Sequence, residues 1–174
     1  FLLRTTGTMF YFLAGAFGLA ADGSAGNFSR LEGTPAPILD FFYVIHIHVP
    51  SDSQLPSQTE FNDIAHTVSR LADVLEAHGA RGTFETVYMF ADAARLYQGA
   101  GNNILTQLVA RGHEVAAHAH NGNMFQLGYT ALLNAGVQNV TTIGGRIAIP
   151  GNAETFADSV QLAAQVGFTV MTDN

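Results

Sequence analysis

From about residue 41 onward, short runs of β-branched and aromatic residues alternate with longer segments whose apolar residues recur every three or four positions. The short runs predict buried strands, and the longer segments predict helices between them. The strands are expected at Phe41–His48, Gly82–Val87, His113–His120, Asn139–Ile143 and Phe168–Thr172. The helices are expected at Gln58–His78, at Phe90–Gln98 and Asn103–Arg111 as one broken helical region, at Met124–Ala135 and at Glu154–Val166.

Local signals at the helix ends support this division. Ser57 followed by Glu60 is a capping-box pattern, and Gly79, Gly112 and Gly167 each follow a helical segment. Strands that alternate with helices indicate an α/β fold with a parallel sheet and right-handed crossovers. Five strands are too few for a closed barrel, so we interpret the chain as a C-terminally truncated (β/α) barrel. An open, flavodoxin-like sheet is the alternative.

The first 26 residues follow a different pattern. A nearly uncharged run from Thr8 to Ala21 is preceded by Arg4 and followed by small residues, as in a secretory signal peptide. The alternative is a buried helix or strand at the start of the fold. We therefore expect a signal segment over 1–26, a linker over 27–40 and an incomplete (β/α) barrel domain over 41–174, with the mature protein extracytoplasmic and without a stable membrane span.

Composition narrows the possible partners and chemistry. The chain has 174 residues, of which 48% are apolar and 12% charged, and this favours a folded domain. Its net charge of −7 argues against nucleic acid as a partner. It has no cysteine, which excludes thiolate metal sites and a cysteine nucleophile. No glycine-rich nucleotide-binding motif follows the first predicted strand.

Histidine pairs stand at the ends of two predicted strands. His46 and His48 end the first predicted strand, and His118 and His120 end the third. Residues two apart in a strand share one face, and active sites of parallel α/β folds lie at the carboxyl ends of the strands. Neutral imidazole is a common zinc ligand. The sequence therefore predicts a divalent metal site, Zn²⁺ above all, held by His48, His118 and His120 with His46 as a fourth ligand or a supporting partner.

A carboxylate is needed as the base that activates a metal-bound water. Glu85, on the second predicted strand, is the first candidate, and Asp52, just after the first strand, is the second. Glu85 has alternative roles: pairing with Arg81 or orienting a metal histidine. Glu114 shares a face with His118 but lies too far down the strand. Of the remaining histidines, we expect His66 and His78 to be solvated and His113 to be structural.

Two segments resemble the polysaccharide deacetylase (NodB-like carbohydrate esterase) family. They are Arg81–Glu85, reading RGTFE, and Leu108–His118, reading LVARGHEVAAH. The resemblance covers about Tyr43 to His120 well and residues 141–174 loosely. It implies a distorted (β/α) barrel, a metal-dependent hydrolytic mechanism, and a carbohydrate or related acylated compound as the substrate, with N-acetyl groups removed.

The chain also departs from the family pattern. Where the family has two adjacent Asp residues after the first strand, this chain has Ile47 and His48, so His48 takes the metal-binding position and Ile47 replaces the base. The family's second metal histidine corresponds to Gly122, and Arg146 only faintly matches the arginine that holds the base. Two alternatives therefore stay open: a non-catalytic glycan-binding barrel, and a metallohydrolase of another class, such as a phosphoesterase or an amidohydrolase-like enzyme.

Overall fold

In a computed structural model of the chain, the described residues are 4–5, 8–9, 12–13, 43–51, 54–145 and 156–172. Five parallel strands form the centre of the fold and lie side by side in chain order. They are β4 (Tyr43–Ile47), β5 (Gly82–Thr86), β6 (Glu114–His118), β7 (Thr142–Gly144) and β8 (Val170–Met171). A short strand, β3 (Phe12–Leu13), pairs antiparallel with β4, while β1 (Arg4–Thr5) and β2 (Thr8–Met9) pair with each other.

Five helices connect the parallel strands, in agreement with the alternation read from the sequence. They are α1 (Gln58–Ala77), α2 (Tyr88–Gln98), α3 (Ile104–Ala110), α4 (Asn123–Asn134) and α5 (Phe156–Val166). The broken helical region after β5 is two separate helices, because Asn103 caps α3 with its own side chain. The predicted capping box of α1 is present, with Glu60 accepting hydrogen bonds from Ser57. Gly79 follows α1 at a φ of 70°, in the left-handed region that favours glycine.

The strand ends differ from the prediction by at most three residues, and β5 begins at Gly82 as predicted. The predicted fourth strand began at Asn139, but β7 begins at Thr142, since Asn139 has a φ of 57° and cannot continue an extended strand. Within the described ranges, no helix is both long enough and apolar enough to cross a membrane. Most of the expected signal segment and linker lies outside the described residues, so both stay predictions.

The two faces of the sheet have opposite character. On one face, Ile45, Phe84, Val115 and Ile143 belong to the hydrophobic core that they share with the helices. The alternation of side chains along each strand then places the polar residues on the other face. These residues are Thr83 and Glu85 of β5, Glu114 and His118 of β6, His46 of β4 and Thr142 of β7. The helices cover the apolar face, and the polar face carries the candidate site.

Candidate metal centre

The histidines at the ends of β4 and β6 meet on the polar face of the sheet. His46 lies within β4 and His48 directly after it, while His118 ends β6 and His120 follows two residues later. The ring centroids of His46 and His118 are 4.6 Å apart, and those of His48 and His118 are 4.7 Å apart. The ring of His120 stacks on that of His48, with centroids 5.1 Å apart. Since β5 lies between β4 and β6, the site spans three neighbouring strands.

Three of the four imidazoles converge closely enough to share one ion. One ring nitrogen from each of His46, His48 and His118 lies within 4.8 Å of the other two. The sequence-based hypothesis used His120 in this set and left His46 as a fourth ligand or a supporting partner. In the structure His46 belongs to the converging set, while His120 stands beside it with its ring centroid 5.1 Å from that of His118. Three nitrogen donors fit a divalent ion such as Zn²⁺, which commonly takes three protein ligands in catalytic sites.

Glu85 lies fully buried beneath these histidines. Its Oε2 atom is 3.1 Å from His46 Nε2 and 3.3 Å from His118 Nδ1. When Glu85 is ionised it can only accept hydrogen bonds, and the histidine nitrogens that face it then carry the protons. A carboxylate that fixes the tautomer of a histidine in this way is a common support of metal sites.

Burial shifts the pKa values of Glu85 and His46 in the directions that favour their neutral forms. Burial raises the pKa of the Glu85 carboxyl, with hydrogen bonding from Thr172 and the charge of His46 acting in the opposite direction. Burial lowers the pKa of His46, against the raising effect of Glu85. A lowered pKa keeps the imidazole of His46 neutral, which is the form that binds metals.

Arg81 does not pair with Glu85. Its guanidinium is exposed and donates to the carbonyl oxygen of Ala80 at 2.9 Å. Of the roles that the sequence left open for Glu85, the contacts match the orientation of histidines. Asp52 and Arg146 lie outside the described residues, so their predicted roles stay predictions.

A second carboxylate occupies the same face one layer below. Glu114 Oε2 accepts from Thr83 Oγ1 at 2.6 Å, and its Oε1 atom accepts from Thr142 Oγ1. These two hydroxyls satisfy the carboxylate away from the histidines, as expected from its position far down β6. Glu114 is exposed at the start of β6 and therefore does not belong to the converging histidines.

The other histidines lie where the sequence predicted. His66 and His78 are exposed on α1 and just after it. His113 is buried and structural: its Nδ1 atom accepts from the Gly82 N–H at 3.1 Å, and its Nε2 atom lies 3.0 Å from Glu76 Oε1. Because Nδ1 accepts, Nε2 carries the proton and donates to the carboxylate.

Two residues that support the site were missed in the sequence. Thr172 Oγ1 donates to Glu85 Oε1 at 2.6 Å, and Gly144 lies directly against the Glu85 carboxylate. Thr172 stands at the end of the fifth predicted strand, so the strand-end rule that singled out the histidines could have found it if applied to that strand as well. No pattern in the sequence signals the close approach at Gly144.

Comparisons with known proteins add little to these observations. No protein-family model matches the chain, and no curated protein matches it. Among solved structures, the chain is similar to a mutant of a CE4 family pseudoenzyme with restored enzymatic activity, at 12% identity and a TM-score of 0.46. The similarity covers 62% of this chain and 40% of that one. The function of the chain therefore has to be argued from its own residues.

Proposed function

We propose that the chain is a metal-dependent hydrolase that removes acyl groups, N-acetyl groups above all, from a glycan or a related acylated compound. The observation that carries the proposal is the convergence of His46, His48 and His118, whose ligand atoms all lie within 4.8 Å of one another. The buried carboxylate of Glu85 beneath two of them supports it. The substrate class rests on the resemblance of the segments around Thr83 and His113 to polysaccharide deacetylases.

The strand order supports a barrel as the architecture behind this site. The parallel strands follow one another in chain order, whereas an open flavodoxin-like sheet reverses its order near the first strand. Glu85 of β5 also reaches Thr172 at the end of β8, although β6 and β7 lie between them. In a flat sheet these backbones would be roughly 14 Å apart, since neighbouring strands are about 4.8 Å apart. A hydrogen bond across that separation needs a strongly curved sheet, as in a (β/α) barrel.

In the proposed mechanism His46, His48 and His118 hold a divalent ion, Zn²⁺ above all. When bound, the ion would lower the pKa of a coordinated water towards about 7 and polarise the substrate carbonyl. Glu85 hydrogen-bonds to one ring nitrogen of His46 and one of His118, and so holds both rings in a fixed orientation at the site. Its burial and its three hydrogen-bond partners favour this orienting role over that of the base, which we assign to Asp52. His120, half-buried beside His48, completes the wall of the site.

The first test is the metal content of the purified chain by elemental analysis. We expect about one divalent ion per chain, lost in His118→Ala and His48→Ala. His66→Ala and His78→Ala are matched controls, because they remove exposed imidazoles outside the site, and they should keep the ion. Absence of metal after reconstitution with zinc, cobalt, manganese and nickel would overturn the proposal, as would unchanged metal content in His118→Ala.

The second test is release of acetate from N-acetylated oligosaccharides by the metal-loaded chain. Activity that disappears in His118→Ala and in Asp52→Asn supports the proposed reaction. A histidine pair at the end of the first strand also suits phosphoesterases and amidohydrolase-like enzymes, so phosphate esters and cyclic amides belong in the same screen. Turnover of those substrates alone would replace the deacetylase assignment. Binding of oligosaccharide without turnover of any substrate would instead indicate a glycan-binding barrel.

A further inference from the structure

The Glu85 carboxylate has two oxygens with different partners, and this division points to residues that support the histidines from a distance. Oε2 faces His46 Nε2 and His118 Nδ1, while Oε1 accepts the hydroxyl proton of Thr172 at 2.6 Å. A carboxylate that is held at one oxygen keeps the other in a fixed direction. The position of the oxygen that faces the histidines therefore depends on a hydroxyl contributed by β8.

The route between Glu85 and Thr172 passes over two small residues. On β6, Ala116 pairs directly with Glu85, and on β7, Gly144 pairs with His118. A Cβ atom on Gly144 would lie 2.1 Å from both Glu85 oxygens, so no other amino acid fits there without displacing the carboxylate. Gly144 thus provides the space, and Thr172 provides the hydrogen bond.

We infer that Thr172 and Gly144 are positioning residues of the histidine site, acting through Glu85. The inference rests on the proposed function, since it assigns these residues to the metal centre described above. It extends the site from β4–β6 to β7 and β8, so that all five parallel strands contribute to it. Thr172 and Gly144 do not contact the ion. They fix the Glu85 carboxylate, which in turn orients two of the ion's ligands, His46 and His118.

The test compares Thr172→Val, which removes the hydroxyl at nearly constant volume, with Thr172→Ser, which keeps it. Zinc affinity is measured by competition with a chelating dye. We expect Thr172→Val to weaken zinc binding about tenfold or more, the usual effect of losing an outer-shell partner of a metal ligand. Thr172→Ser should stay close to the unsubstituted chain, because its hydroxyl can still donate to Oε1.

Thr142→Val is the matched control. Thr142 lies on the same face of the sheet and also donates to a carboxylate, but that carboxylate is Glu114, away from the histidines. We expect this variant to keep its zinc affinity. An equal loss of affinity in Thr142→Val would mean that any hydroxyl on this face matters for the fold, and it would overturn the inference. Unchanged affinity in Thr172→Val would overturn it too.

A metal-free measurement separates this inference from the proposed function. In the chain without metal, the imidazole ¹⁵N resonances report which ring nitrogen of His46 and His118 carries the proton. We expect protonation at His46 Nε2 and His118 Nδ1, and a mixture of tautomers in Thr172→Val. If the unsubstituted chain binds no zinc, the proposed function fails, while these resonances still decide the positioning role. Identical tautomers in the unsubstituted chain and in Thr172→Val would refute the positioning role. If Thr172→Val does not fold, Thr172→Ala takes its place in the experiment.

Discussion

Glu85 is the residue on which the geometry of the site depends. It is fully buried, and its neighbours are two imidazoles, one hydroxyl and the bare Cα of Gly144. Burial raises the pKa of its carboxyl, while the hydrogen bond from Thr172 and the charge of His46 act in the opposite direction. Each neighbour can be changed singly, which makes the arrangement open to experiment at the level of one residue.

Gly144→Ala gives the sharpest single-residue prediction. The added methyl group would overlap the Glu85 oxygens, and overpacking of this kind usually costs about 1–3 kcal/mol of unfolding free energy. We expect Gly144→Ala to lower stability by that amount and to weaken zinc binding. Urea unfolding and the dye competition measure the two effects.

A second variant isolates the cause of the Gly144 effect. In a Glu85→Ala background the carboxylate that the added methyl group would overlap is absent. Adding Gly144→Ala there should cost about zero further stability, which a double-mutant cycle measures. A full additive loss in the double variant would contradict the proposed contact. Gly128→Ala serves as a control for glycine replacement away from Glu85: its added Cβ would press on the Cβ of Ala117 at 3.2 Å, so its cost should be the same with and without Glu85.

At the scale of elements, one ion-pair network joins α1 to the end of α3 and the start of β6. Arg111 Nε donates to Glu76 Oε1 at 2.8 Å, and its Nη2 atom lies 2.6 Å from Asp73 Oδ1. His113 Nε2 donates to the same Glu76 oxygen at 3.0 Å. His113 and Arg111 flank Gly112 in the segment that resembles the deacetylase motif, so part of that motif holds elements together in this chain and does not touch the site.

This network predicts a pH dependence of stability. The hydrogen bond from Arg111 holds the pKa of Glu76 below its usual 4.5, and the hydrogen bond from His113 adds a smaller effect in the same direction. A carboxyl with a lowered folded pKa stabilises the fold above the unfolded pKa, and that stabilisation is lost as the pH falls through the folded value. Glu76→Gln should therefore be less stable than the unsubstituted chain near pH 7, with the difference shrinking below about pH 4.

Urea unfolding at several pH values measures this difference. Arg111→Gln is the companion variant: in its background, Glu76→Gln should have a much smaller effect at neutral pH, because the main partner of the carboxylate is gone. A constant difference between Glu76→Gln and the unsubstituted chain at all pH values would contradict the role of Glu76 ionisation. Zinc affinity should be unchanged in both variants, since neither residue lies on the polar face of the sheet.

At the scale of the whole molecule, an ion would link strands that are distant in sequence. His46 lies in β4 and His48 directly follows it, while His118 ends β6, and about 70 residues separate His48 from His118. A ligand that binds only the folded chain stabilises it by roughly 2.7 kcal/mol when its concentration is 100 times its Kd. We expect zinc to raise the thermal midpoint and a chelator to reverse the rise.

The same thermal measurement on variants shows whether this stabilisation comes from the site. His118→Ala should show no zinc-dependent rise, while His78→Ala should behave as the unsubstituted chain does. A rise that survives in His118→Ala would place the bound zinc elsewhere on the molecule. The comparison must be made at one zinc concentration, because the midpoint of a ligand-binding protein depends on it.

Most of the elements could be predicted from the sequence because they depend on local patterns. The apolar spacing over Gln58–Ala77, the capping box of Ser57 and the glycine after α1 are short-range signals, and the structure confirms each of them. The predicted strand start at Asn139 was wrong by three residues, because the left-handed backbone there has no strong signal in a single sequence. The signal segment, the linker and the place of export stay predictions.

The sequence by itself determined that four histidines stand at two strand ends, since alternation in a strand and the parallel α/β pattern follow from neighbouring residues. Only the tertiary structure decided which imidazoles converge, because that depends on strand register and on the curvature of the sheet. The same holds for Glu85, whose partners His46, His118 and Thr172 come from three other strand ends. Contacts across strands are set by the packing of the whole sheet, and no local pattern encodes the space that Gly144 leaves for a carboxylate.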